Sequence, residues 1–160
     1  MSMNQDPAQY LRQAIRLARE NVESGTGGPF GAVIVRNGEV IATGTNQVAA
    51  SGDPTSHAEI IAIRKACEAL GSFQLDGCEI YCSCEPCPMC LGAIYWARPD
   101  RVVFASTAHD AADAGFDDSF IYDEIRRSRD RRRMPLEQLV VPEAGEEFEA
   151  WMESEDRVEY

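Results

Sequence analysis

The sequence has one lysine, Lys65, two histidines, and no apolar run near the ~18–20 residues that cross a bilayer. The missing run excludes a helical membrane span. Met1–Gln13 lacks the basic start and apolar stretch of an export leader. A soluble, cytoplasmic chain is the expectation. Bases are scarce as a class: 15 Lys+Arg against 27 Asp+Glu leave a net charge of −12, a surface that repels phosphate backbones. Membranes are excluded as partners and nucleic acid is disfavoured. The few bases are also unevenly spread. Arg126, Arg127, Arg129, Arg131, Arg132 and Arg133 place six of the fifteen in eight residues, leaving nine bases and 26 acids, or −17, elsewhere. No aromatic side chain interleaves with them, as stacking on nucleic acid would need. The window reads as a solvated helix end, with nucleic-acid contact as the lesser alternative.

A disordered chain is excluded by 44% apolar residues, and 160 residues match one domain, able to bury roughly two-thirds of its unfolded surface without disulfide staples. A spread of paired cysteines is also lacking. Of Cys67, Cys78, Cys82, Cys84, Cys87 and Cys90, five fall within thirteen residues. Clustering of this kind in a chain with no leader points to metal or thiolate chemistry.

Asp6-Pro7 has the form of a helix start, and Tyr10, Leu11, Ala14, Ile15, Leu17, Ala18 and Val22 recur at helical spacing until Gly25–Gly28 ends the run. Gly31–Val35 and Val40–Ala42 flank Asn37-Gly38, the signature of a hairpin on a type I′ turn. A helix is expected over 55–70, a strand over Glu79–Cys82, a helix over Pro88–Ala97 and a strand over Arg101–Ala105. Further helices at Ser119–Arg127 and Glu146–Glu155 bracket a fifth strand at Leu139–Val141. A hairpin followed by alternating strands and helices predicts an α/β fold of three layers (α/β/α) with a mixed five-stranded sheet. No repeat or linker divides it, so residues 1–160 read as a single domain.

Two fragments carry the chemistry: His57-Ala58-Glu59 and Pro86-Cys87-Pro88-Met89-Cys90. Together they have the H-x-E…P-C-x-x-C form of the zinc deaminases. Cys87 and Cys90, three apart at a helix start, present both sulfurs on one face, and the positive helix end favours their thiolates. His57 opens the preceding helix and reaches the same ion if the two N-termini face each other. Three protein ligands leave the fourth tetrahedral position to water, the mark of a catalytic zinc. Zinc makes that water a hydroxide source near neutral pH, and Glu59, beside it, is placed to shuttle the proton. An iron–sulfur run starting at Cys84 would need its next cysteine at Ile94, and that reading fails. A structural zinc that also uses Cys84 remains as an alternative. His109, in a polar stretch, is expected to bind nothing.

Gly27–Val35, Asp53–Glu59, Ser83–Pro99 and Ala114–Phe120 resemble the small bacterial guanine deaminases of the cytidine deaminase-like fold, from about Tyr10 to Tyr160. The zinc motif marks only the superfamily; Phe116-Asp-Asp-Ser-Phe and the terminal tyrosine are narrower. The resemblance implies hydrolysis of guanine to xanthine and ammonia, with attack at C2 while Glu59 protonates N3 and then the departing amine. It implies that Asn46 hydrogen-bonds the base, Phe30 packs on the ring, Trp96 lines the pocket, and Asp118 reads the N1 and amino edge and serves as a second proton shuttle. It further implies a homodimer whose C-terminal segment, about 143–160, is exchanged so that Tyr160 closes the partner's pocket.

Read from the residues alone, Asn46 could cap a strand, Phe30 could be core, Asp118 could cap a helix, and the acidic tail could be frayed. The arginine window could pair with the partner's acidic tail. Competing readings are a deaminase of another amino-heterocycle, a tRNA adenosine deaminase, which needs a basic docking surface, and a zinc module without turnover.

Overall fold

A computed structural model describes residues 6–160. These fall into two compact units, one running to Ser119 and the other Phe120–Tyr160.

The first unit is built around a sheet. Helix α1 (Pro7–Glu23) starts at Asp6, whose carboxylate accepts the Ala8 N–H at 3.0 Å, with Pro7 at the first helical position. Strands β1 (Gly31–Arg36) and β2 (Glu39–Thr45) form an antiparallel hairpin. Its turn residues Asn37 and Gly38 both have positive φ (52° and 82°), the conformation that a type I′ turn requires. The short α2 (Val48–Ser51) and α3 (Ala58–Leu70) follow, then β3 (Cys78–Cys84), α4 (Pro88–Ala97), β4 (Arg101–Ser106) and α5 (Ala108–Asp113). Helix α6 (Ser119–Arg126) begins where this unit ends. The sheet order is β2-β1-β3-β4, with β1 antiparallel to both neighbours and β3 parallel to β4.

Strand alternation divides the core into two layers. Ala32 and Ile34 of β1 join Ile80 and Cys82 under Ala58 and Ala62 of α3 and Ile94 of α4. Val33, Val35 and Tyr81 face the other way, onto Tyr10 and Ala14 of α1. Helices therefore cover both faces. Alanines dominate the contact surfaces of α1 and α3, which brings backbone close to backbone. Gly44 shows how close: a Cβ there would lie 2.1 Å from the Ala58 carbonyl oxygen and 2.7 Å from the Ala62 nitrogen.

On the α1 face the Tyr81 hydroxyl donates to Glu79, and Arg101 donates to both at 3.2–3.3 Å. Burial first, and then the Glu79 carboxylate, push the Tyr81 phenol up to about 12. A folded pKa above the unfolded value of about 10 means that the neutral phenol stabilises fully below pH 10, and that this contribution is lost as pH rises through 12. Unfolding free energies measured from pH 9 to 12 are expected to fall by on the order of 2 kcal/mol more in the parent than in Tyr81→Phe. Parallel curves would sink the assignment.

The second unit continues α6 and adds a 3₁₀ turn at Arg129–Arg131 and α7 (Glu146–Glu153). The expected fifth strand is a correction: Leu139–Val141 forms no ladder, and the sheet has four strands among the described residues. Leu139 and Val140 are 85% and 79% exposed between Pro135 and Pro142. Their β propensity is real, but propensity makes a strand only where a second backbone offers hydrogen bonds. The final helix also stops at Glu153 rather than Glu155, and the helix expected over 55–70 starts later, at Ala58. The arginine window makes local, exposed contacts: Arg126 with Asp123, and Arg127 with Glu124 at 2.8 Å. No described helix is long and apolar enough to cross a membrane.

Candidate active site

Both halves of the cysteine–histidine signature sit at helix N-termini. His57 is the N-cap of α3, held by the turn before it. The Asp53 carboxylate accepts from the Thr55 N–H (2.8 Å), the Thr55 hydroxyl (2.7 Å) and the Ser56 hydroxyl (3.0 Å), and these bonds keep its pKa below the ordinary value. Cys87 is the N-cap of α4, with Pro88 following it, and its sulfur accepts the Cys90 N–H at 3.5 Å.

His57 Nδ1 lies 3.5 Å from Cys87 Sγ and 3.5 Å from Cys90 Sγ, and all three donor atoms are within 4.8 Å of one another. A tetrahedral zinc with Zn–N near 2.0–2.1 Å and Zn–S near 2.3 Å sets nitrogen and sulfur roughly 3.6 Å apart. The donor set therefore fits zinc. Cys84 is outside this cluster. Its thiol donates to the Thr107 carbonyl at 3.5 Å, and burial pushes it up to about 11, away from the thiolate a metal needs. Three ligands remain, which leaves one position for water. Purified Cys84→Ser is accordingly expected to carry one zinc per chain by atomic emission, and Cys90→Ala to lose the metal. Loss from both would restore the four-ligand structural reading.

A hydrogen bond from Cys90 first, and then one with His57, draw the Cys87 thiol down to about 4. Cys90, the donor in that bond and buried besides, moves the opposite way. A bound cation displaces the remaining proton. Glu59, on the first turn of α3, is 5% exposed, and its Oε2 accepts from the Cys90 thiol at 3.3 Å. Burial raises its pKa. It is a carboxyl beside the metal ligands whose burial favours proton uptake relative to an exposed glutamate.

A cavity of about 560 Å³ opens over these groups. Asn46, Phe30 and Asp118 all line it, as do His57 and Glu59. Phe30 meets Phe116 edge to face, with ring centroids 5.0 Å apart. Asp118 Oδ1 is buried with no hydrogen-bond partner among the described residues, and burial raises its pKa. A buried acceptor left unmatched costs ~1–3 kcal/mol, which a donor on a ligand would recover. Trp96 is 63% exposed on α4 and outside the cavity lining, and Tyr160 belongs to the second unit. His109 is exposed on α5, 3.8 Å from Asp113.

Two contributors were not visible in the pattern. Asn21, buried in α1, donates through Nδ2 to the carbonyls of Gly28 and Asn46 at 2.9 Å each, and so fixes the strand end that carries Asn46. A polar residue on the apolar stripe between Ala18 and Val22 was its only signal. Glu85, inside the cysteine motif, also lines the cavity.

Residues 4–106 match the family model described as the cytidine and deoxycytidylate deaminase zinc-binding region. The chain is 56% identical over 151 residues to a guanine deaminase of Bacillus subtilis (strain 168), covering 94% of this chain and 97% of that one. An X-ray structure of guanine deaminase from Bacillus subtilis superposes with a TM-score of 0.95 at 54% identity, over 99% of each chain. A tRNA-specific adenosine deaminase of Aquifex aeolicus (strain VF5) is 42% identical over 97 residues, 61% of this chain and 64% of its own.

Proposed function

Since the chain belongs to the cytidine and deoxycytidylate deaminase zinc-binding family, we propose that it is a zinc-dependent guanine deaminase, hydrolysing the free base to xanthine and ammonia in the cytoplasm. The observation that carries the substrate is the unmatched Oδ1 of Asp118 in the cavity wall. Guanine presents two adjacent donors, its N1–H and its amino group, and an acidic acceptor rewards both. Cytosine has no such pair.

His57, Cys87 and Cys90 hold the zinc. When bound, the metal supplies a water acidified enough to attack carbon at neutral pH. Glu59 takes one proton from the attacking water and delivers it to N3 of the base, then takes the second from the hydroxyl now on C2 and passes it to the amine, which leaves as ammonia as the C2 carbonyl forms. Burial suits it to both tasks, since a raised pKa lets one carboxyl accept and donate in the same pH range. Asn46 hydrogen-bonds the base, Phe30 packs on the ring, and Asp118 reads the N1 and amino edge and relays a second proton.

We assign the chain to a homodimer of single-domain subunits, with a C-terminal segment of about 143–160 exchanged. The exposed Leu139 and Val140 and the open edge strand β4 support this. Trp96 does not line the cavity of its own chain, so its part in the pocket is assigned to a second copy, whose pocket Tyr160 closes.

Zinc-loaded protein given guanine is expected to release ammonia and xanthine in equal amounts, with turnover lost on chelation and restored by zinc. Full zinc occupancy with no ammonia from guanine would overturn the assignment. Other amino-heterocycles and then tRNA would be the next substrates.

A further inference from the structure

Two of the cavity's walls are far apart in sequence. One is the end of β3 with the cysteine loop after it; the other runs from the end of β4 through α5 to Asp118, and brings Phe116 and the unmatched carboxylate. Three hydrogen bonds join them, and all three come from two consecutive residues. The Cys84 thiol donates to the Thr107 carbonyl at 3.5 Å. The Glu85 N–H donates to the Ser106 carbonyl at 2.8 Å. The Glu85 carboxylate accepts the Ala108 N–H at 2.8 Å, a donor at the first turn of α5 that no helical carbonyl can satisfy. Helix α5 is only six residues long and has no fully buried residue. From there the coupling runs onward: Thr107 and Asp110 cap the helix reciprocally, and the Phe116 N–H donates to the Ala111 carbonyl at 2.9 Å.

We propose that Glu85 is a positioning residue: by gripping the start of α5 it sets where Phe116 and Asp118 stand relative to the metal ligands. The role rests on the guanine reading above and deepens it. The effect should fall on substrate binding rather than on metal or proton transfer, because neither Glu59 nor a zinc ligand depends on the α5 contact. The Glu85→Gln change keeps an acceptor oxygen for the Ala108 N–H, whereas Glu85→Ala removes it.

The test compares Glu85→Ala and Glu85→Gln as zinc-loaded holoproteins, read by steady-state kinetics on guanine, zinc content, and amide hydrogen exchange of α5. Glu85→Ala is expected to keep one zinc per chain, raise KM roughly 10-fold or more with a smaller change in kcat, and speed exchange across 108–116. Glu85→Gln is expected to restore KM and exchange to within about twofold of the parent. An unchanged KM in Glu85→Ala, or Glu85→Gln as impaired as Glu85→Ala, overturns the role; the latter would show that the carboxylate charge itself acts on the substrate. Loss of zinc in Glu85→Ala would overturn it too. A parent protein that does not act on guanine would instead fault the substrate reading, while hydrogen exchange still decides whether Glu85 holds α5.

Discussion

Glu59→Gln, zinc-loaded and given guanine, is expected to release ammonia ~10²–10⁴-fold more slowly than the parent, with zinc content unchanged. Glutamine keeps the shape and the acceptor oxygen but cannot take up and return a proton. Glu59 is 5% exposed and lies 3.3 Å from the Cys90 sulfur, so no other carboxylate on α3 can substitute. Its burial also means that the folded state bears the cost of a confined carboxylate. The neutral glutamine variant should therefore melt no lower than the parent, and an activity loss cannot be blamed on unfolding. Activity within about tenfold of the parent would remove Glu59 from the proton path. Loss of zinc together with activity would make it a support for the metal instead.

Gly44→Ala is expected to destabilise the holoprotein by about 3 kcal/mol or more in denaturant titration, with a lower melting temperature. The clash is with backbone: a Cβ would meet the Ala58 carbonyl oxygen at 2.1 Å and the Ala62 nitrogen at 2.7 Å. No rotamer change relieves that contact, so α3 must move off β2. Because α3 opens with His57 and Glu59, the shift should also weaken zinc binding. Gly31 is the counterpart on the opposite face, where a Cβ would sit 2.3 Å from the Ala14 carbonyl oxygen. A Gly44→Ala protein as stable as the parent would mean that helix and sheet approach less closely than the structure has them.

The metal ligands were readable because each is a short-range fact. A cysteine pair three apart at a proline-started helix, and a histidine two before an acid, are local patterns with local geometry. The hairpin was legible for the same reason, since Asn37-Gly38 adopts its turn whatever surrounds it. The ends of elements were less so. Residues 55–57, Thr-Ser-His, carry no apolar spacing that marks a boundary, and the Asp53-centred turn takes their backbone and starts the helix at Ala58. Helix α5 has too few residues to show a period, and only its capping box defines it.

By itself the sequence determined a globular α/β chain, a His/Cys/Cys metal signature with one attendant acid, and a surface of net charge −12, because these depend on composition and on neighbours along the chain. Tertiary structure alone decided the rest. It removed the fifth strand, since Leu139–Val141 needs a partner backbone that no local rule supplies. It set Cys84 aside as a hydrogen-bond donor, and gave Asn21 and Glu85 parts that their positions in the sequence did not announce. It also left Asp118 Oδ1 buried without a partner among the described residues. Such outcomes depend on which groups burial brings together or leaves unmatched, and that is settled only when distant segments pack.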